Sequence, residues 1–182
     1  MREAPPPYDG EGPHALWHVS EDDSIRRFEP HRAVTAPRDE KLVWAVGTRL
    51  LPLYWFPRQC PRATLWAESE TTDADIGRFL YGDRGRRVHV VEPEWLEPMR
   101  TTRVLAYRMP EETFVEDKDR FWISKKPVEP VQLVELGDLV ERHEQAGIEL
   151  RTDDHLLRFW GEVVASSLGF SGIRLRNARV GA

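Results

Sequence analysis

The sequence predicts an α+β fold, and three observations carry the prediction. Short β-type runs outnumber helical stretches, and many of them follow one another directly. The helical stretches are short and irregularly placed, so no regular βαβ array forms. At 182 residues, with seven Trp and seven Phe, the chain has the length and the apolar mass to build a core.

Residues 1–13 are rich in Pro, Gly and acid and are expected to be a disordered lead-in to a single domain over residues 14–182. Leu16 to Ser20 is a short β run. The acids Glu21 to Asp23, with Ser24, suit the cap of one helical turn carrying Ile25 and Phe28. Residues 29–41 read as a surface loop, and Leu42 to Val46 as a strand buried on both faces. Thr48 to Phe56 is ambiguous, because its apolar content suits a short helix only if Pro52 sits in the first turn. Pro57 and Pro61 force a loop. Thr64 to Glu68 is the next strand, and Thr72 followed by Asp75 opens a helix through Leu80 with a capping-box-like pair.

Val-rich Arg87 to Glu92 is a strand, and Pro93 starts a short helix ending near Arg100. Arg103 to Met109 and Arg120 to Ser124 are strands divided by an acidic loop, with Val128 to Leu133 as a further strand candidate. Leu136, Leu139, Val140 and His143 fall at i, i+3, i+4 and i+7 of a helix that Gly147 ends. After Ile148 to Arg151, Asp153 or Asp154 caps a second helix carrying Leu156, Leu157, Trp160, Val163 and Val164. Phe170 to Ala178 closes the chain as a strand in which Arg174 and Arg176 share one face.

The longest apolar stretch, Leu50 to Phe56, is far below the roughly 20 residues of a membrane helix. Met1 to Pro7 lack the apolar segment of a signal peptide, so the expectation is a cytoplasmic protein without a membrane partner. A single Cys excludes an internal disulfide and Cys-rich metal sites. With 31 acids against 26 Lys and Arg, the net charge of −5 argues against bulk coating of nucleic acid. Two Arg clusters, Arg84/Arg86/Arg87 and Arg174/Arg176/Arg179, still leave room for a local anion site.

Signatures of enzymes are sparse: there is no phosphate-binding loop, no Gly-x-Gly-x-x-Gly, no Gly-x-Ser-x-Gly and no His-Glu-x-x-His. The six His are scattered singly, and no metal is expected. Cys60 lies between Arg58 and Arg62, whose charge favours a thiolate, yet no partner His is in view, and a packed thiol is the simpler reading. In a strand, His18 and Ser20 share the face opposite Trp17 and Val19. That pair suits a polar ligand, or else a hydrogen-bonded core His beside a Ser that caps the next turn. Arg58 and Arg62 sit in a loop stiffened by two prolines and can fork onto phosphate, or pair with surface acids. Trp44, Tyr54, Trp55 and Phe56 are core or a stacking platform.

Leu16 to Ser20, Ile25 to Pro30 and Leu42 to Val46 together resemble the opening of ADP-ribosyltransferase-like folds, in which the first strand carries a His followed by a small hydroxyl residue. Arg87 to Pro93 resembles the central strand of the rifampin-modifying members. Over Leu16 to Ala178 the chain also resembles an uncharacterised bacterial family of unknown function, through Pro57 to Arg62, Gly147 to Arg151 and Phe170 to Ala178. The first resemblance implies a split, strongly bent β-core with short flanking helices and an NAD cleft. In it His18, assisted by Ser20, would hold the nicotinamide-side ribose or amide, with Trp44 or Tyr54 stacked on the nicotinamide. A late acid would favour an oxocarbenium-like transition state; Glu129 and Glu149 are the candidates, though neither sits in a recognisable motif. The implied activity is NAD-dependent ADP-ribosyl transfer or cleavage at the nicotinamide glycosidic bond. Relatives resembling RNA 2′-phosphotransferases bind phosphate instead, a task open to Arg58, Arg62, Arg174 and Arg176. The alternative function is a noncatalytic nucleotide-, phosphate- or partner-binding module.

Overall fold

The structure, a computed structural model, describes residues 15–32, 39–117 and 121–180, so the expected lead-in over residues 1–13 lies outside the described residues. The described residues form ten strands and four helices, an α+β chain as the sequence predicts. In order they are β1 (Leu16–Ser20), β2 (Val43–Gly47), β3 (Arg62–Trp66), α1 (Asp73–Leu80), β4 (Arg87–Val91), α2 (Leu96–Thr101), β5 (Leu105–Met109) and β6 (Val115–Glu116). Then come β7 (Phe121–Ser124), β8 (Gln132–Glu135), α3 (Leu139–Gln145), β9 (Glu149–Thr152), α4 (Leu156–Val164) and β10 (Gly169–Ile173). The strands divide into a six-stranded sheet, β6-β7-β2-β1-β5-β8, and a four-stranded sheet, β10-β3-β4-β9.

Strand alternation assigns each face. Trp17, Val46 and Ala106 of the first sheet bury against Trp66 and Val91 of the second, with Trp55, Phe56 and Leu139 filling the space between. Each large apolar side chain removed from water there contributes about 1.5–3 kcal/mol. The outer face of the first sheet, with Leu16, Ala45 and Tyr107, lies under Phe28, Phe114 and Val128. The outer face of the second, with Ala63, Leu65, Val88 and Val90, is covered by Phe79, Leu80, Leu156 and Val163 of α1 and α4. Trp66 and Glu68 press so closely on Gly169 that an added Cβ there would lie 2.3 Å from the indole Nε1 and 2.7 Å from a Glu68 carboxylate oxygen.

Several expectations are met at the level of local chemistry. Thr72 caps α1 by accepting the Asp75 N–H at 3.2 Å, as expected; Asp138, which the sequence reading did not single out, caps α3 through the Val140 and Glu141 N–H groups. The ambiguous stretch resolves into a 3-10 turn over Leu51–Tyr54 with Pro52 in its first positions, where no backbone donor is needed.

Other expectations are corrected. Glu21 to Phe28 is not a helical turn. Asp22 accepts from the Ser24 N–H and hydroxyl at 2.8 and 2.6 Å, a local alternative to helix, and Phe28 exchanges both backbone bonds with Val128. The strand expected over 128–133 starts later, at Gln132, because Val128 is used in that bridge. Neither Asp153 nor Asp154 is the residue that begins α4; Asp153 instead accepts the His155 N–H at 2.7 Å. The closing strand stops at Ile173. Arg174 takes φ 57°, residues 175–177 form a 3-10 turn, and Leu175 folds back over Gly172. Arg174 and Arg176 therefore do not share a strand face.

Candidate functional site

Some of the residues singled out in the sequence, His18, Ser20 and the Pro57–Pro61 loop, come together where β1 ends. Glu21, just past Ser20, accepts the Arg58 N–H at 2.7 Å, tying the Pro57–Pro61 loop to the strand end. From the other side Arg174 Nε donates to the Arg58 carbonyl oxygen at 3.2 Å, and Asn177 Nδ2 donates to the Gln59 carbonyl oxygen at 2.8 Å. The left-handed backbone at Arg174, unusual for a residue with a Cβ, turns its side chain onto this loop. The loop is thus held at both peptide groups of Arg58, and its guanidinium stays available.

His18 is half-buried, with its ring against Phe28 at 4.6 Å between centroids. Its Nδ1 lies 2.8 Å from the Trp44 carbonyl oxygen, which can only accept, so Nδ1 carries the proton and Nε2 is a bare acceptor. Burial lowers the His18 pKa; the Trp44 bond opposes this, and the His31 and Arg58 charges add to it. The imidazole is therefore neutral at pH 7. Ser20 caps the following turn by accepting the Asp22 N–H at 3.1 Å.

Arg62 is only 3% exposed. Its Nε and Nη1 donate to the carbonyl oxygens of Leu53 and Cys60 at 3.1 and 3.0 Å, and it stacks on Phe56 at 4.9 Å and near Tyr54 at 5.9 Å. Burial, with a smaller contribution from the Arg174 charge and against the effect of Cys60 and Tyr54, pushes its pKa down to about 10. No acidic side chain pairs with Arg58, Arg62 or Arg174 among the described residues. Arg58 thus lies near a neutral His18, with the Arg174 side chain on the Arg58 carbonyl and the buried Arg62 within electrostatic reach of Arg174; the Glu21 carboxylate against this loop accepts a backbone N–H.

The other candidates are placed elsewhere. The Trp44 side chain faces the space between the sheets, across from Val19, while His18 faces Phe28 on the opposite side. Tyr54 also packs on the inter-sheet side, where burial raises its pKa. Neither aromatic stands over the His18 ring. Glu129 is exposed and lies 3.7 Å from Arg27. Glu149 is on the outer face of the second sheet, paired with Arg151 and with Arg86 at 2.5 Å; the Arg151 bond and, beyond the opposing effect of burial, Arg86 hold its pKa down. Arg176 is exposed on the final turn. Cys60 is fully buried, and burial pushes its thiol up to about 12, which suits a packed thiol.

Sequence reasoning missed Glu21 and Asn177 as clamps of the loop, and although it named Arg87 in an Arg cluster and His143 in a helical stripe, it did not join them with His89. Arg87 and His89 alternate with Val88 and Val90 on β4, and His143 completes the apolar stripe of α3, so all three occupy positions that periodicity assigns to the interior. Among the described residues no group of three or more His, Cys, Asp or Glu side chains is arranged to hold a metal, and no helix is long and apolar enough to cross a membrane.

No curated protein and no solved structure matches this chain. A family model does, over residues 17–178, which span both sheets and every residue of the site: the chain belongs to a family of unknown function, DUF6886.

Proposed function

We propose that the chain binds a phosphate-bearing nucleotide at the end of β1, with NAD as the leading ligand, in the manner of the ADP-ribosyltransferase-like folds its first strands resemble. The observation that carries this reading is that Arg58 and Arg174, neither paired with an acidic side chain among the described residues, meet on one loop close to a neutral His18. Guanidiniums fork onto phosphate oxygens, and the clamped loop lowers the cost of ordering Arg58. His18 Nε2, an acceptor, suits a ribose hydroxyl or a carboxamide N–H, and the Ser20 hydroxyl is two residues away on the same face. Cleavage of the nicotinamide glycosidic bond additionally needs an acid near the ribose.

A second reading, binding without turnover, is favoured by one specific observation: Glu129 and Glu149 are both engaged with Arg partners away from His18. One experiment covers both. Thermal shift with NAD, ADP-ribose and nicotinamide is followed by an assay for released nicotinamide. NAD and ADP-ribose are expected to raise Tm in the native protein, and Arg58→Ser with Arg174→Ser to abolish the shift. The shift should also shrink as salt rises. Nicotinamide release identifies a transferase or glycohydrolase, and stabilisation without release identifies the binding module. No shift with any nucleotide refutes the site.

A further inference from the structure

The rim at the end of β1 holds an anion as well as cations. Glu21, the residue after Ser20, is exposed, and its Oε1 accepts the Arg58 N–H at 2.7 Å. That bond uses a backbone donor and one oxygen, so Oε2 is left over and no cationic side chain answers the charge. No Lys, Arg or His pairs with Glu21 among the described residues. The acids around it are engaged differently. Asp22 is turned into its own loop by the Ser24 N–H and hydroxyl, Asp23 pairs with Arg103, and Glu29 with Arg27. Among them Glu21 is the one tied to the Arg58 loop.

Both signs of charge are therefore held against a single residue of that loop. The Arg174 guanidinium meets the Arg58 carbonyl oxygen, and the Glu21 carboxylate meets the Arg58 N–H. A nucleotide that carries only phosphate charge matches the guanidiniums of Arg58 and Arg174 and is repelled by Glu21. The oxidised nicotinamide dinucleotide matches both signs. Its diphosphate is anionic, and its pyridinium ring, attached at the opposite end of the ribose, carries one positive charge. The ribose between them has the hydroxyl donors that suit His18 Nε2. The reduced dinucleotide has the same phosphates and ribose but an uncharged ring.

We propose that Glu21 selects the oxidised, pyridinium form of the dinucleotide by standing against its cationic ring, an assignment that rests on the nucleotide-binding reading above. The test is calorimetric titration of the protein with NAD, NADH and ADP-ribose at low salt. NAD is expected to bind about fivefold tighter than NADH, the scale of one charge pair at a surface. In Glu21→Gln the amide oxygen can still accept the Arg58 N–H and keep the loop in place, and the NAD-to-NADH ratio should fall to about one. The ratio is the readout, because losing the carboxylate also relieves its repulsion of phosphate. In the parent, the Glu21 side-chain carboxyl carbon resonance should move further with NAD than with NADH, a readout that stands even if the variant fails to fold. Equal affinities in the parent, a preference that survives Glu21→Gln, or a resonance that does not distinguish the two forms overturns the assignment and leaves the nucleotide site standing. Binding of none of the three ligands refutes the site itself, and the assignment with it.

Discussion

Acidification from pH 7 to pH 5 is expected to weaken the fold through a buried relay of hydrogen bonds, before ordinary acid denaturation begins. Arg87 Nε donates to His89 Nε2 at 3.1 Å, His89 Nδ1 to His143 Nε2 at 2.8 Å, and His143 Nδ1 to the Leu139 carbonyl oxygen at 2.6 Å, a direction fixed by a guanidinium that only donates and a carbonyl that only accepts. His143 is fully buried, and burial brings its pKa down to about 4, with the Leu139 bond opposing and the Arg87 and Arg142 charges assisting. In the unfolded chain the same imidazole titrates near 6.5. A depressed His pKa means that the unfolded state binds the extra proton as pH falls, so stability is fully present above about 6.5 and drains away toward about 4. The slope is about 1.4 kcal/mol per pH unit for each such group, so His143 alone removes about 2 kcal/mol by pH 5. His89, driven well below its ordinary value by burial and then by the Arg87 charge, acts with the same sign. The carboxylates held low here, Asp75, Asp138 and Glu149, lose their contributions only below about 4.5, so the interval from pH 6.5 to 5 isolates the imidazoles. Urea unfolding followed by Trp fluorescence at pH 7, 6 and 5 measures this. His143→Gln, whose side-chain oxygen can still accept from His89, should show a shallower slope by about one proton. Equal slopes in the two proteins, or a His143 resonance already protonated at pH 5, would refute the relay.

Four further outcomes test the capping and the packing. Thr72→Ala removes the cap of α1 and should cost about 1 kcal/mol in chemical denaturation. Gly169→Ala puts a methyl 2.3 Å from Trp66 Nε1 and should cost about 1–3 kcal/mol, whereas Gly161→Ala, within α4 and with open space at its Cβ, should gain about 0.5–1 kcal/mol. Cys60, buried and with its thiol pushed up to about 12, should resist a disulfide reagent at pH 8 in the native protein and react promptly in denaturant; fast native labelling would contradict its burial.

What was legible in the sequence was whatever local chemistry decides. Val-rich β4, the Thr72–Asp75 cap and the i, i+3, i+4, i+7 stripe of α3 each carry their instruction within a few residues. At the β1 end His18, Ser20 and Arg58 can each be named from their own local setting, but the contact that brings the Pro-stiffened loop to the strand end spans 37 positions and has no local signal. Where a long-range partner decides, the local signal misleads. Alternating Ile173-Arg174-Leu175-Arg176 reads as a strand, but Leu175 is drawn back over Gly172 beside Trp160, and the chain turns at Arg174 instead. That turn aims Arg174 at Arg58 across 116 positions, so the rim depends on the very point where the periodic reading fails. The interior relay is a harder case. A period-2 pattern marks Arg87 and His89 as inward-facing, and a period-3.6 pattern marks His143 the same way, yet inward position alone gives no reason to join them. Only the docking of α3 beside β4 brings two imidazoles to 2.8 Å and makes their tautomers interdependent. Polar residues on faces that periodicity assigns to the core are therefore the sequence signal worth pursuing. They are kept there at an energetic cost, and the structure shows them hydrogen-bonded to one another and to backbone carbonyl oxygens.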